Sequence, residues 1–70
     1  MTRILATYSP DRIRDVLTMQ REANPGIHDQ LLADYCAEVL TGGCGDALAL
    51  SNAADQVLAL MAREHVERGR

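Results

Sequence analysis

Residues 27–41 read IHDQLLADYCAEVLT and carry the clearest helical periodicity in the chain. Their apolar side chains recur at intervals of three and four residues, which places them on one face of a helix. This apolar stripe comprises Ile27, Leu31, Leu32, Tyr35, Cys36, Val39 and Leu40. The glycines that follow at positions 42 and 43 readily take the left-handed conformation that ends a helix. We therefore predict a helix over residues 27–41.

An earlier helix is indicated by Ser9-Pro10-Asp11. Serine caps free backbone amides, proline suits the first helical position, and aspartate stabilises the positive end of the helix. Pro25 disfavours helical backbone in the residue before it, so this helix should end near Ala23. The sequence predicts a first helix over residues 10–23.

A third helix is predicted over residues 46–67, after the glycine-rich loop. Its apolar face comprises Leu50, Ala54, Val57, Leu58, Met61 and His65, and Leu60 and Val66 widen it. Asn52 and Asp55 have the spacing of a capping pair, so a restart of the helix near Ser51 stays open. Residues 2–8 also stay open between an extended segment, a short helix and an arm that packs on a partner. A strand pair between this segment and residues 47–50 is disfavoured, because two short strands have little stability alone.

The fold class that follows is all-α, a small three-helix bundle formed by a single domain of residues 1–70. The chain has 70 residues, and neither phenylalanine nor tryptophan occurs in it. A core of aliphatic side chains and alanine suits helix packing better than a sheet, which favours β-branched and aromatic residues. All seven bases are arginine, which fits a GC-rich bacterial or phage genome.

Length and hydropathy also predict the localisation and the oligomeric state of the protein. No apolar run approaches the roughly 20 residues of a membrane span, and the N-terminus lacks the pattern of a signal peptide. We therefore expect a cytoplasmic protein with no membrane contact. A chain this short buries only about 60% of its unfolded surface, so a second copy or a partner is expected. Leu48 and Leu60 predict a homodimer through the third helix.

Charge is distributed unevenly along the chain. Residues 22–62 carry six acids and no base, whereas arginines are concentrated in residues 1–21 and 63–70. One interpretation is an acidic surface for a partner with a basic surface, because charge of one sign steers association. Its candidate residues are Asp29, Asp34, Glu38 and Asp46. The other interpretation is that arginines of the first and third helices pair with these acids.

Several function classes are excluded by what the pattern lacks. The second helix has no base to meet phosphates, so no nucleic acid is expected. His28, Cys36 and Cys44 follow one another at eight-residue intervals. On a helix, His28 and Cys36 would be about 12 Å apart, too far to share a metal ion within one chain, although a dimer could bring ligands together. The loop at residues 42–45 lacks the lysine and hydroxyl of a phosphate-binding loop. We predict no cofactor, no metal and no catalytic set.

The two cysteines receive different interpretations. Cys36 lies on the apolar stripe and is predicted to be a small core residue. Cys44 lies in the glycine-rich loop just before a helix, where a thiolate is favoured, and is the candidate reactive thiol. A disulfide between them is disfavoured in a reducing cytosol.

The function predicted from these residues is a non-enzymatic protein-binding module. It would act as a small regulator, inhibitor or accessory subunit of a larger bacterial protein, and a phage or plasmid origin fits its size. The alternative is a small thiol-dependent enzyme or redox element that uses Cys44.

Overall fold

The computed structural model describes residues 5–43 and 45–68. Within them the chain forms three helices and no strand: α1 at Pro10–Ala23, α2 at Asp29–Leu40 and α3 at Ala47–Arg68. The predicted all-α three-helix bundle is confirmed. No helix in these residues is both long and apolar enough to cross a bilayer.

The first helix has the predicted bounds. The Ser9 hydroxyl accepts a hydrogen bond from the Arg12 backbone N–H at 3.2 Å, and Pro10 occupies the first helical position. The helix ends at Ala23, where the N–H of the capping residue Asn24 donates to the Gln20 carbonyl. The capping pattern in the sequence therefore reports this start correctly.

The second helix is shorter than residues 27–41. His28 is its N-cap, with extended backbone, and its ring Nδ1 accepts from the Gln30 N–H at 3.3 Å. Ile27 therefore precedes the helix, although its half-buried side chain still packs against the core. At the other end Thr41 caps the helix, and Gly42 and Gly43 both have positive φ.

The third helix is continuous from Ala47. Asp46 caps it: its Oδ1 accepts from the Ala49 N–H at 2.9 Å, and its carbonyl accepts from the Leu50 N–H. The predicted bounds of 46–67 are thus one residue early at each end. The restart near Ser51 does not occur, because Asn52 lies within regular helix and its amide binds the N-terminal segment instead.

The core consists of one face from each helix. Its buried members are Ile13, Val16 and Leu17 of α1, Leu32, Ala33, Cys36, Ala37 and Leu40 of α2, and Ala53, Ala54, Val57, Leu60 and Met61 of α3. Contact is most extensive between α2 and α3 and least extensive between α1 and α3. Four of these buried residues, two on α2 and two on α3, are alanines, whose small side chains permit close approach of helices.

Some residues of the predicted apolar faces lie outside the core. On α2, Leu31, Tyr35 and Val39 are exposed, because the helix packs through the adjoining face instead. On α3, His65 and Val66 are exposed, because this helix has 22 residues and is longer than α1 and α2, which have 14 and 12.

Leu60 departs from the prediction in the opposite direction. It was expected to support a homodimer, yet it is buried inside the bundle. The α3 core face turns further toward Ala53 and Leu60 than the predicted stripe, so this leucine is used by the fold itself. Leu48 stays exposed.

Candidate partner-binding site

The α2 outer surface is formed by two adjacent rows of side chains that face away from the core. The first, the apolar row, consists of Leu31, Tyr35 and Val39, and the second, the acidic row, consists of Asp34 and Glu38. Members of each row are four residues apart, so they are neighbours along the helix. The regular helix therefore brings a continuous apolar strip beside a pair of carboxylates.

The apolar row is exposed although its residues are of the kind that usually enter a core. The exposed fractions are 50% for Leu31, 39% for Tyr35 and 43% for Val39. Single exposed apolar residues are ordinary on protein surfaces, whereas contiguous ones mark contact sites. These three are consecutive along one helix face.

The acidic row borders a groove between α2 and α3. Asp55 of α3 lies on the same groove as Asp34 and Glu38, and Leu50 contributes to its apolar lining. The groove has a volume of about 420 Å³. Asp34 accepts a hydrogen bond from the Gln30 side-chain amide at 3.3 Å, and this donor carries no charge.

The described arginines form their ion pairs away from this acidic groove. Among the described residues, Arg14 pairs with Asp11 at 3.4 Å, and Arg21 and Arg68 both pair with Glu64, at 3.9 and 3.8 Å. Glu64 thereby links α3 to α1 on a different side of the bundle. The described arginines thus make no ion pair with Asp34, Glu38 or Asp55, as the interpretation of arginines facing these acids would require.

The four acids predicted as a partner site do not form one cluster. Asp34 and Glu38 share the groove, but Asp29 lies in the first turn of α2, where its charge stabilises the helix end. Asp46 caps α3. Asp55 was missed as a groove residue because its spacing from Asn52 suggested a helix cap. On the continuous third helix it lines the groove with Asp34 and Glu38.

The cysteines offer no chemistry within the described residues. Cys36 is a buried free thiol, as predicted, and burial raises its pKa while the charge of Arg21 acts weakly in the opposite direction. A thiol of this kind is inert rather than nucleophilic. Cys44 lies outside the described residues, so its reactivity stays a prediction.

The described side chains provide no group of metal ligands. In residues 5–43 and 45–68, no group of three or more His, Cys, Asp or Glu side chains could hold a metal ion. Comparison of the chain with protein-family models, curated proteins and solved structures finds no match. Functional inference therefore depends on the α2 outer surface and its surroundings.

Proposed function

We propose that the chain is a non-enzymatic protein-binding module whose α2 outer surface contacts a basic region of a larger protein. One observation carries this proposal: an exposed apolar row lies beside an acidic row that no described arginine pairs with. Burial of the apolar row supplies affinity, and the carboxylates orient and accelerate encounter with a basic surface. Tyr35 lies at the centre, and tyrosine is frequent among the residues that dominate binding energies.

A larger protein suits this surface better than a second copy. The second helix has no basic residue, so two α2 outer surfaces placed face to face would bring their acidic rows together. Like charges juxtaposed across an interface cost several kcal/mol. The predicted homodimer through α3 stays a prediction, with Leu48 but no longer Leu60 in its support.

The biological role that we propose is coverage of a partner's surface. A regulator, an inhibitor and an accessory subunit all act in this way and need no catalytic group. We propose that the partner is a cytoplasmic bacterial protein. We also propose that the chain itself is encoded by a phage or a plasmid.

The experiment is affinity capture from the native host with wild-type chain and two variants. Leu31→Ser with Tyr35→Ser removes the apolar row, and Met19→Ser is the matched control, because Met19 is 64% exposed on α1. We expect the double variant to lose the captured protein by at least about tenfold, which two central contacts of an interface can account for. Met19→Ser should retain it.

Circular dichroism must first show that both variants keep wild-type helicity and melting temperature. If a folded double variant captures the same proteins as wild type and Met19→Ser, the α2 outer surface does not bind the partner. Capture that is lost equally in both variants would also contradict the proposal, since binding would then not depend on this face.

A further inference from the structure

The N-terminal segment, residues 5–8, is held on α3 by two side-chain amides. Gln56 makes two of the bonds: its Nε2 donates to the Ala6 carbonyl at 2.9 Å, and its Oε1 accepts from the Tyr8 N–H at 2.9 Å. Asn52 donates from Nδ2 to the same Ala6 carbonyl at 2.8 Å. Asn52 and Gln56 are about one helical turn apart, so both side-chain amides lie on the same face of α3.

These contacts recognise main-chain atoms alone. The Ala6 carbonyl and the Tyr8 N–H flank Thr7, and in an extended chain these two groups point to the same side. Gln56 thus pairs with the segment as the backbone of a neighbouring strand would. None of the three hydrogen bonds uses a side chain of the segment, so these bonds select for backbone and leave side-chain selection to the position of Tyr8.

The hydrogen-bonding needs of the segment's backbone do not explain why α3 has these two side-chain amides. Ala6 and Thr7 are exposed, and both hydrogen bonds to the Ala6 carbonyl are open to solvent. Water could satisfy this carbonyl equally well. Only Tyr8 is anchored more firmly, because its half-buried side chain packs against the core.

We propose that Asn52 and Gln56 form a docking site for an extended peptide segment of a partner protein, and that residues 5–8 fill this site in the free chain. The ligand needs a carbonyl and an N–H on either side of one residue, and an aromatic or large aliphatic side chain at the position of Tyr8. The segment already bound shows that this chemistry fits.

This site is separate from the α2 outer surface. Ser51 and Asp55, each one residue before the two amides, line the groove between α2 and α3. Successive residues on a helix are rotated by about 100°. The groove and the docked segment therefore lie on different flanks of α3, and the two proposals can fail independently.

The test titrates the full chain into a fluorescent peptide, acetyl-Leu-Ala-Thr-Tyr-Ser-Pro-amide, which reproduces residues 5–10. Tyr8→Ala weakens the internal competitor while keeping its backbone, so this variant should bind the peptide about tenfold more tightly than wild type. Adding Gln56→Glu places a carboxylate against the peptide carbonyl and should weaken binding by about tenfold. Ser51→Ala in the same background is the matched control and should change nothing.

A second peptide, methylated on the tyrosine nitrogen, tests backbone recognition with the protein unchanged. This peptide lacks the N–H that donates a hydrogen bond to Gln56. Its affinity for the Tyr8→Ala variant should be about tenfold lower than that of the parent peptide. The proposal is overturned if Tyr8→Ala binds neither peptide, or binds both equally. Sedimentation of the wild type as a dimer that Gln56→Glu dissociates would assign the site to a second copy's segment and overturn the assignment to a partner.

Discussion

The two sides of α2 differ although both are apolar. The inner side is formed by the buried residues Leu32, Ala33, Cys36, Ala37 and Leu40, which contact α1 and α3. The outer side presents the apolar row to solvent, beside the acidic row. Burial explains the inner residues completely, because a bundle must cover one face of each helix. The outer residues remain about half exposed in the bundle, and on this contrast we assign them to a partner.

Substitution of the adjacent leucines at positions 31 and 32 should give the largest difference in the free energy of unfolding between the two sides of α2. Leu32→Ala should lower the free energy of unfolding by about 2–5 kcal/mol, since it removes buried methyl groups and leaves a cavity. Leu31→Ala should change it by no more than about 0.5 kcal/mol, because the side chain is half exposed. Urea denaturation measures both. Equal losses would show that both sides of α2 are packed.

A smaller effect is expected from Cys36→Ser on the inner side. The substitution places a hydroxyl group among apolar side chains and should cost about 1–3 kcal/mol of unfolding free energy. The matched outer substitution, Val39→Ser, should cost less, because Val39 is 43% exposed. Thermal and urea unfolding of the two variants give the comparison, and a larger loss for Val39→Ser would reverse the assignment of the two sides.

Cys36 also predicts how stability depends on pH. Burial raises the pKa of this thiol in the folded state above its ordinary value of 9.0, so its stabilising contribution is fully present below that value and is lost as pH rises through the folded pKa. The wild type should therefore lose stability above this pH faster than Cys36→Ser, which has no thiol at this position. Urea unfolding between pH 7 and 10 measures the difference. Parallel curves would mean that the thiol is not desolvated.

The smallest effect on stability is predicted for the acidic row. Asp34→Arg with Glu38→Arg breaks no ion pair with a described residue and places positive charge opposite Asp55 and near the negative end of α2. The free energy of unfolding should stay nearly unchanged or rise by a few tenths of a kcal/mol. A marked loss would show that these acids stabilise the fold. Partner capture should fall sharply at low salt, and the difference from wild type should shrink as salt is added.

Local sequence signals predicted the helices well. The Ser9-Pro10 start of α1 and the glycines after α2 are read from residues that bond within a few positions of themselves, and the structure has the caps there. The start of α2 was missed because histidine is an unusual N-cap, and Ile27 continues the apolar spacing across it.

Contacts between distant residues could not be read in this way. Periodicity grouped Leu31 with Leu32 on one stripe, but only the positions of α1 and α3 determine which of them is covered. Asp34 and Asp55 line the same groove, and Gln56 bonds to Ala6 and Tyr8, although these positions are far apart in sequence. Nothing in the local pattern specifies such pairs.

Site-specific photo-crosslinking tests directly whether the α2 outer surface contacts a larger protein. A photoreactive phenylalanine analogue replaces Tyr35 on the α2 outer surface, or Met19 on α1 as the control, and the full chain is irradiated in the native host. We expect a covalent product with one larger protein from position 35 and none from position 19. Asp34→Arg with Glu38→Arg should reduce the position-35 product. Crosslinking from position 19 alone, equal crosslinking from both positions, or a product formed only with a second copy of the chain would contradict this expectation.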